Sequence, residues 1–245
     1  MRREPVLLEL PSLGTCAEFI HRAQRCGTMI LISQYYLSCS SARQRELDFC
    51  LKTNLSCPLF DKIILFGAPA VAHPRLIPMP DGRPTFHEFL HTANEHPNQL
   101  IVVSNSDITF DETLWLAETI AREEVFALTR WQSDGAFYKY SCSQDVWIFR
   151  TPVILVDAHF PLGIPGCDGR IAYLFHEAGY SVRNPSLSIK VWHHHMSAIR
   201  SYSTVDRLRG IYLRLPPTSL ELRATVQPKV DYDYAYPNRI GTLGS

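Results

Sequence analysis

Three short stretches of the chain carry residue types from which a reactive site could be assembled. The first is Asn105-Ser106-Asp107, which follows the apolar run Leu100-Ile101-Val102-Val103. On an extended segment Asn105 and Asp107 point to the same side. Two short oxygen-bearing side chains so placed suit a hard divalent cation bridging to phosphate oxygens, although the same tripeptide after a strand is also an ordinary turn. The second stretch runs from Phe160 through Gly163 and Gly166 to Asp168. Its glycines let the backbone approach a ligand closely, and Asp168, opening a helical pattern, offers a carboxylate that could take a proton from a hydroxyl. An aspartate there is equally an N-cap, and a helix N-terminus lowers a carboxylate's pKa and so weakens it as a base. The third stretch is Leu187 to His195. Strand alternation places Ile189, Val191, His193 and His195 on one face and Trp192 and His194 on the other. His193 and His195 can therefore face one cleft and share a metal, which three successive histidines on an extended segment cannot.

Those residues need elements to hold them. The run at 100–103 reads as a strand buried on both faces, with its polar cluster at the carboxyl end, where open α/β sheets bind ligands. Upstream, 28–36 reads as the first core strand and 61–66 as the second. Between them Ser40-Ser41-Ala42 caps a helix over 43–54, with Leu47, Cys50 and Leu51 inward. Strand, helix and strand within about 40 residues make a βαβ unit, hence a parallel sheet. The proline- and glycine-rich 67–83 reads as irregular. Thr85 opens a helix through Asn94, whose His87 and His91 are either a metal pair or surface residues. A helix is expected over 113–120, with Asp111 assisting a metal or, preferably, capping it. Strands follow at 125–131 and 144–152, then a helix at 169–178 stopped by Gly179-Tyr180. Further short helices are expected at 15–26 and 205–215.

Composition narrows the function classes. At 245 residues the chain suits one large α/β domain, read as an N-terminal extension (1–27), a domain (28–215) and an extended or disordered tail (216–245). Lysine plus arginine balance aspartate plus glutamate at 24 each, and no basic block stands out, which disfavours nucleic acid. No apolar run approaches the ~18 residues of a membrane span, and Pro5-Val6-Leu7-Leu8 after Arg2-Arg3-Glu4 is too short for a signal peptide. Seven cysteines without a CxxC pair argue against a zinc knuckle or a disulfide framework and for a reducing compartment. The expectation is a cytoplasmic protein, or a soluble domain of a larger one.

In their order along the chain, these stretches resemble the GT-A glycosyltransferases over roughly residues 28–202. Asn105-x-Asp107 is similar to their DXD signature, with asparagine in the first place. The segment from Phe160 to Asp168, followed by a helix and Ala178-Gly179-Tyr180, resembles the acceptor-side motif of inverting members, in which an acidic residue at the helix start is the general base; Asp168 matches it. A late histidine, His195 or else His193, would complete the metal sphere begun by Asp107. The resemblance implies an α/β, single Rossmann-like domain with a mostly parallel central sheet flanked by helices. It implies Mn2+ or Mg2+, a nucleotide-sugar donor with a UDP-sugar favoured, and a glycan or other hydroxyl acceptor. Donor contacts would come from Ser33, Gln34, Tyr35, Arg43, Asn105, Ser106, Gln144, Asp145 and Arg200, and acceptor contacts from Gly166 and Trp147. Arg43 stands at the wrong end of its helix for the dipole, either to reach a phosphate or simply to pair with Glu46. Arg200 would neutralise a leaving diphosphate or is a surface residue.

The implied activity is an inverting hexosyl- or pentosyltransfer. A nucleotidyltransferase acting on sugar phosphates would carry a glycine-rich, basic loop after the first strand, where this chain has Tyr35-Tyr36-Leu37-Ser38-Cys39. A non-catalytic nucleotide- or sugar-binding module stays open because of Asn105. A hydrolytic metalloenzyme on the histidine triplet lacks further ligands at zinc-like spacing.

Overall fold

A computed structural model of the chain describes residues 29–67, 69–197, 206–222 and 229–231. The helix expected at 15–26 and Arg200 lie outside these residues. The βαβ unit forms as the pattern requires. Strand β1 (Met29–Gln34) is joined by helix α1 (Ser41–Ser56) to β2 (Phe60–Phe66), and β1 and β2 pair in parallel. The hydroxyl of Ser40 accepts from the Arg43 amide to cap α1, satisfying one of the orphan donors of a helix start. Helix α2 (Phe86–Asn94) opens with a full capping box between Thr85 and Glu88. Strand β4 (Leu100–Ser104) lies parallel to β1 on its other side.

The seven-stranded sheet runs β3-β2-β1-β4-β8-β6-β9, with β3 Leu76–Met79, β6 Glu124–Leu128, β8 Val146–Arg150 and β9 Ser181–Arg183. All its pairings are parallel except those of β8, which runs antiparallel to both β4 and β6. The chain is therefore an α/β, Rossmann-like domain with a mostly parallel central sheet flanked by helices. Reversal of β8 has a functional consequence: its amino end, with Gln144 and Asp145 just before it, lies beside the carboxyl end of β4.

Both faces of the sheet are covered, and alternation decides which residue goes where. Ile30, Ile32, Ile101 and Val103 pack with Phe86, Phe89 and Leu90 of α2 and with Ile171 and Phe175 of α3 (Cys167–Glu177). Their neighbours Met29, Leu31, Leu100 and Val102 pack on the opposite face with Leu47, Leu51 and Leu55 of α1. Continuous apolar runs are what two-sided burial demands of a parallel sheet.

The structure corrects several expected elements. Residues 112–119 form a 3-10 helix (Glu112–Thr119) rather than an α-helix. Leu114, Ala117 and Ile120, all buried, are three apart, a spacing that suits three residues per turn better than 3.6. The irregular stretch 67–83 contains β3, whose Pro78 is tolerated because the strand lies at the sheet's edge. The strand expected at 125–131 is divided into β6 and the short β7 (Trp131–Gln132). Instead of a helix at 205–215 there is a strand, β11 (Tyr212–Arg214), paired with β12 (Lys229–Asp231). Residues 216–222 lie along the domain, with Thr218 and Leu220 buried. No helix among the described residues is long and apolar enough to cross a membrane.

A second, three-stranded sheet, β5-β10-β7, is formed by β5 (Ile108–Phe110), β10 (Val191–His193) and β7. It follows directly from the carboxyl end of β4, because β5 begins three residues after β4's turn starts. Gly67, at the tip of β2, is required there. Its φ is +122°, and a Cβ would collide with the Tyr35 carbonyl oxygen, to which strain in the left-handed region would be added. Gly67→Ala is expected to cost about 2 kcal/mol or more, read as a lowered urea midpoint at unchanged slope.

Candidate active site

The antiparallel pairing of β10 with β5 sets His193 opposite Ile108, and the His194 amide donates to the Asp107 carbonyl at 2.9 Å. The histidine strand is thereby fastened beside Asp107. His193 Nε2 lies 3.3 Å and His195 Nδ1 3.7 Å from Asp107 Oδ2, and the three residues each offer one ligand atom within 4.8 Å of the others. Among the described residues no other such cluster occurs. His194 turns the other way, to Thr109 Oγ1 at 2.8 Å and edge-on to Phe49. His87 and His91 do not form a metal pair: His87 stacks on His159, and His91 lies near Glu95.

Asp107 is 6 % exposed. Burial opposes its charge, but hydrogen bonding and charge from His193 and Arg43 outweigh it and hold the carboxyl well below the usual carboxylate range. Arg43 Nη2 donates to Asp107 Oδ2 at 2.7 Å and Nη1 to Glu46 at 3.0 Å. Thus Arg43 pairs with Glu46 as one sequence reading had it, yet it is buried rather than solvated. Burial, with the charge of Arg43, lowers the pKa of His195, which favours the uncharged ring. Its Nε2 is buried without a hydrogen-bond partner, and the Nδ1 of His193 meets Gln132 Oε1 at 3.2 Å, the kind of outer contact that orients a metal-binding imidazole. One carboxylate and two imidazoles fit a divalent transition ion such as Mn2+ better than Mg2+, which prefers an octahedron of oxygens.

Asn105 does not join Asp107. The chain turns after β4, and Asn105 Nδ2 donates to Asp145 Oδ1 at 2.8 Å while its amide donates to the Asp145 carbonyl. Asp145, at the amino end of antiparallel β8, is also paired with Arg130 at 2.9 Å, whose guanidinium lies 4.0 Å from the Tyr138 ring centre. Asp168 belongs to this group. It occupies the first turn of α3, but the N-cap is Gly166, at φ +86° and without a side-chain bond, so Asp168 is not a cap. Burial, then the charge of Asp145, push its pKa up to about 8, against smaller opposing effects of Cys167, Arg130 and the Gln144 backbone. The helix end was expected to lower this carboxyl's pKa, and the surroundings reverse that expectation.

A raised carboxyl pKa has a thermodynamic signature. Because folded Asp168 binds its proton more tightly than the unfolded chain, its contribution to stability is full at pH values below the ordinary 3.8 and declines as pH rises towards about 8. Asp168→Asn should therefore raise the melting temperature by a few degrees at about pH 9 and leave it nearly unchanged at about pH 4, measured by scanning calorimetry.

Other residues singled out from the sequence are placed as follows. Ser33 is buried and ties β1 to β4 through the Ser104 carbonyl at 2.8 Å, and Tyr35 is buried with its hydroxyl on Asp48 and Gln44. Gln34 and Ser106 are half-buried at the strand tips. Gln144 is fully buried, with its Oε1 unpartnered. Trp147 is corrected from acceptor contact to core: it is 1 % exposed and packs edge-on against Phe86. Alternation along β8 sends it into the packed face of the sheet. Space beside Gly166 is filled by the Tyr212 ring, 3.1 Å from where a Cβ would stand, so this glycine serves packing. Asp111 caps the 3-10 helix and accepts from Trp192 Nε1, as the favoured reading had it. Sequence reasoning missed Arg130, Tyr138 and Gln132, whose relevance comes only from contacts across strands.

No family model matches the sequence, and no curated protein matches it. Among solved structures, the chain is similar to a mannosyltransferase from Pyrobaculum calidifontis in complex with GDP-Man and Mn2+, with a TM-score of 0.43, 12 % identity, and coverage of 69 % of this chain and 61 % of that one. The match thus spans less than two thirds of the mannosyltransferase. It is also similar to a 4-diphosphocytidyl-2C-methyl-D-erythritol synthase, with a TM-score of 0.35, 11 % identity, and coverage of 74 % and 96 % respectively.

Proposed function

We propose that this chain is a glycosyltransferase that moves a sugar from a nucleoside-diphosphate sugar to an acceptor hydroxyl, with inversion. The observation that carries the reading is the meeting, at the carboxyl end of one mostly parallel sheet, of a one-carboxylate, two-imidazole cluster and a carboxylate whose pKa lies near 8. Asn105, in the same turn as Asp107, donates to Asp145, whose charge acts on Asp168.

Asp107, His193 and His195 would hold a divalent ion, Mn2+ by preference, which when bound supplies positive charge for the departing diphosphate. Asp168, as the carboxylate, would accept the proton of the acceptor hydroxyl as that oxygen attacks the anomeric carbon; a base titrating near working pH is well matched to this role. Arg130 pairs with Asp145, which also accepts from Asn105, and Asp168 would carry the labile proton. Gln34 and Ser106, half-buried at the tips of β1 and β4, would contact the donor. A nucleotidyltransferase finds less support, since the loop after β1 offers no glycine-rich phosphate cradle.

The test is a melting-temperature survey of nucleoside diphosphates and nucleotide-sugars with and without Mn2+. A ligand at ten to a hundred times its Kd should add about 1.4 to 2.7 kcal/mol, visible as a shift of several degrees. Stabilisation by one diphosphate only in the presence of Mn2+ is expected. If no nucleotide shifts the protein under either condition, the reading is abandoned.

A further inference from the structure

One buried ion pair in α1 touches Asp107 at one end and the amides of Met196 and Ser197, just after His195, at the other. Arg43 is 5 % exposed and sits in the first turn of a helix that has no acidic residue there, a placement the helix dipole opposes. Its Nη2 is on Asp107 at 2.7 Å, its Nη1 on Glu46 at 3.0 Å and its Nε on the Tyr36 hydroxyl at 3.2 Å. Glu46 in turn accepts from the Met196 amide at 2.9 Å, the Ser197 amide at 2.8 Å and the Ser197 hydroxyl at 3.0 Å. His195 therefore sits next to a backbone amide that Glu46 holds. His193 lies within β10 and is held by strand pairing, whereas His195 is beyond the strand's end, immediately before the Met196 amide that Glu46 accepts from.

We propose that Arg43 and Glu46 act on the metal cluster with opposite sign. Arg43 is the resident cation that a divalent ion must displace from Asp107, and Glu46 is the clasp that holds His195 in coordinating position. Both halves deepen the metal-site reading above and rest on it. Guanidinium and metal ion compete for the same carboxylate, and in a buried setting two cations side by side repel strongly. On release, Arg43 keeps Glu46 and Tyr36 as partners, so its charge is not stranded. Glu46 bonds backbone amides rather than the metal, which makes it a positioning residue of the outer layer.

The experiment is calorimetric titration of the full chain with Mn2+, comparing wild type, Arg43→Met and Glu46→Ala. Arg43→Met should bind at least about tenfold more tightly, because the competing charge is gone. Glu46→Ala should bind about 10- to 100-fold more weakly, as outer-layer changes do. A purely architectural ion pair would move both variants in the same direction, since each would loosen the same contact. That result, or unchanged affinity in either variant, overturns the proposal while leaving the metal site standing. If wild type binds no Mn2+, the metal-site reading itself falls, and this proposal with it. Should Arg43→Met not fold, the unmodified protein decides: on titration with diamagnetic Zn2+ the side-chain Nε–H resonance of Arg43 should shift, and an unmoved resonance overturns its role as displaced cation.

Discussion

Asp168→Asn is expected to lower the rate of sugar transfer by about 10²- to 10⁴-fold, the usual worth of a positioned general base, while Mn2+ and nucleotide binding stay within about twofold, since Asp168 contacts neither Asp107 nor its partners. The pH profile carries the sharper content. Burial and Asp145 push the Asp168 pKa up to about 8, and in the proposed reaction the active form is the carboxylate. The wild-type rate should therefore climb about tenfold per pH unit below that value and level off above it. The residual rate of Asp168→Asn should show no such limb. Arg130→Met gives an internal control of the cause: the loss of this cation removes an influence that lowers the Asp168 pKa, so the rising limb should move to higher pH. Steady-state rates across pH for the three proteins check both statements. An Asp168→Asn enzyme of wild-type rate would remove the base assignment.

Asp107→Ala should be the most damaging single change to the cluster. Removing one member of a buried ion pair costs about 3 to 5 kcal/mol, and Arg43 and Asp107 are both almost fully covered. Glu46 still neutralises part of the Arg43 charge, which places the expected loss at the lower end of that range. Two observables separate the carboxylate's structural part from its metal-binding part. Chemical denaturation in the presence of EDTA reads the first. The second is the difference in melting temperature with and without Mn2+, which should be several degrees for wild type and vanish for Asp107→Ala. Retention of that difference would place the metal elsewhere.

Comparison of Asp107 with Asn105 shows how far a local pattern reaches. Both belong to one tripeptide, and period-two reasoning puts them on one side. In the fold the chain has already left the strand at Asn105, and partners distant in the sequence take over: Asp145 claims Asn105, while Arg43 and His193 claim Asp107. His193 and His195 both turn towards Asp107 while His194 turns to Thr109, although β10 itself ends at His193. Trp147 was misplaced because it too follows alternation, and only the identity of the covered face, set by α2, tells core from cleft.

The sequence by itself determined the fold class and the elements of its central βαβ unit. Continuous apolar runs, the caps at Ser40 and Thr85 and the helix between two strands are local signals, and local hydrogen bonding and side-chain period suffice to read them. It also brought forward Asp107, the two histidines and Asp168 as the residues able to do chemistry. What tertiary structure alone decided is their state. The direction of β8 brought Asp145 beside Asp168, and burial with that neighbouring charge raised a pKa that a helix start would have lowered. An arginine placed against its own helix dipole found its counter-charge on Asp107, in the turn between β4 and β5. Such partners lie far apart in the chain, and desolvation depends on everything packed around a group, so neither can be read from the few residues on either side.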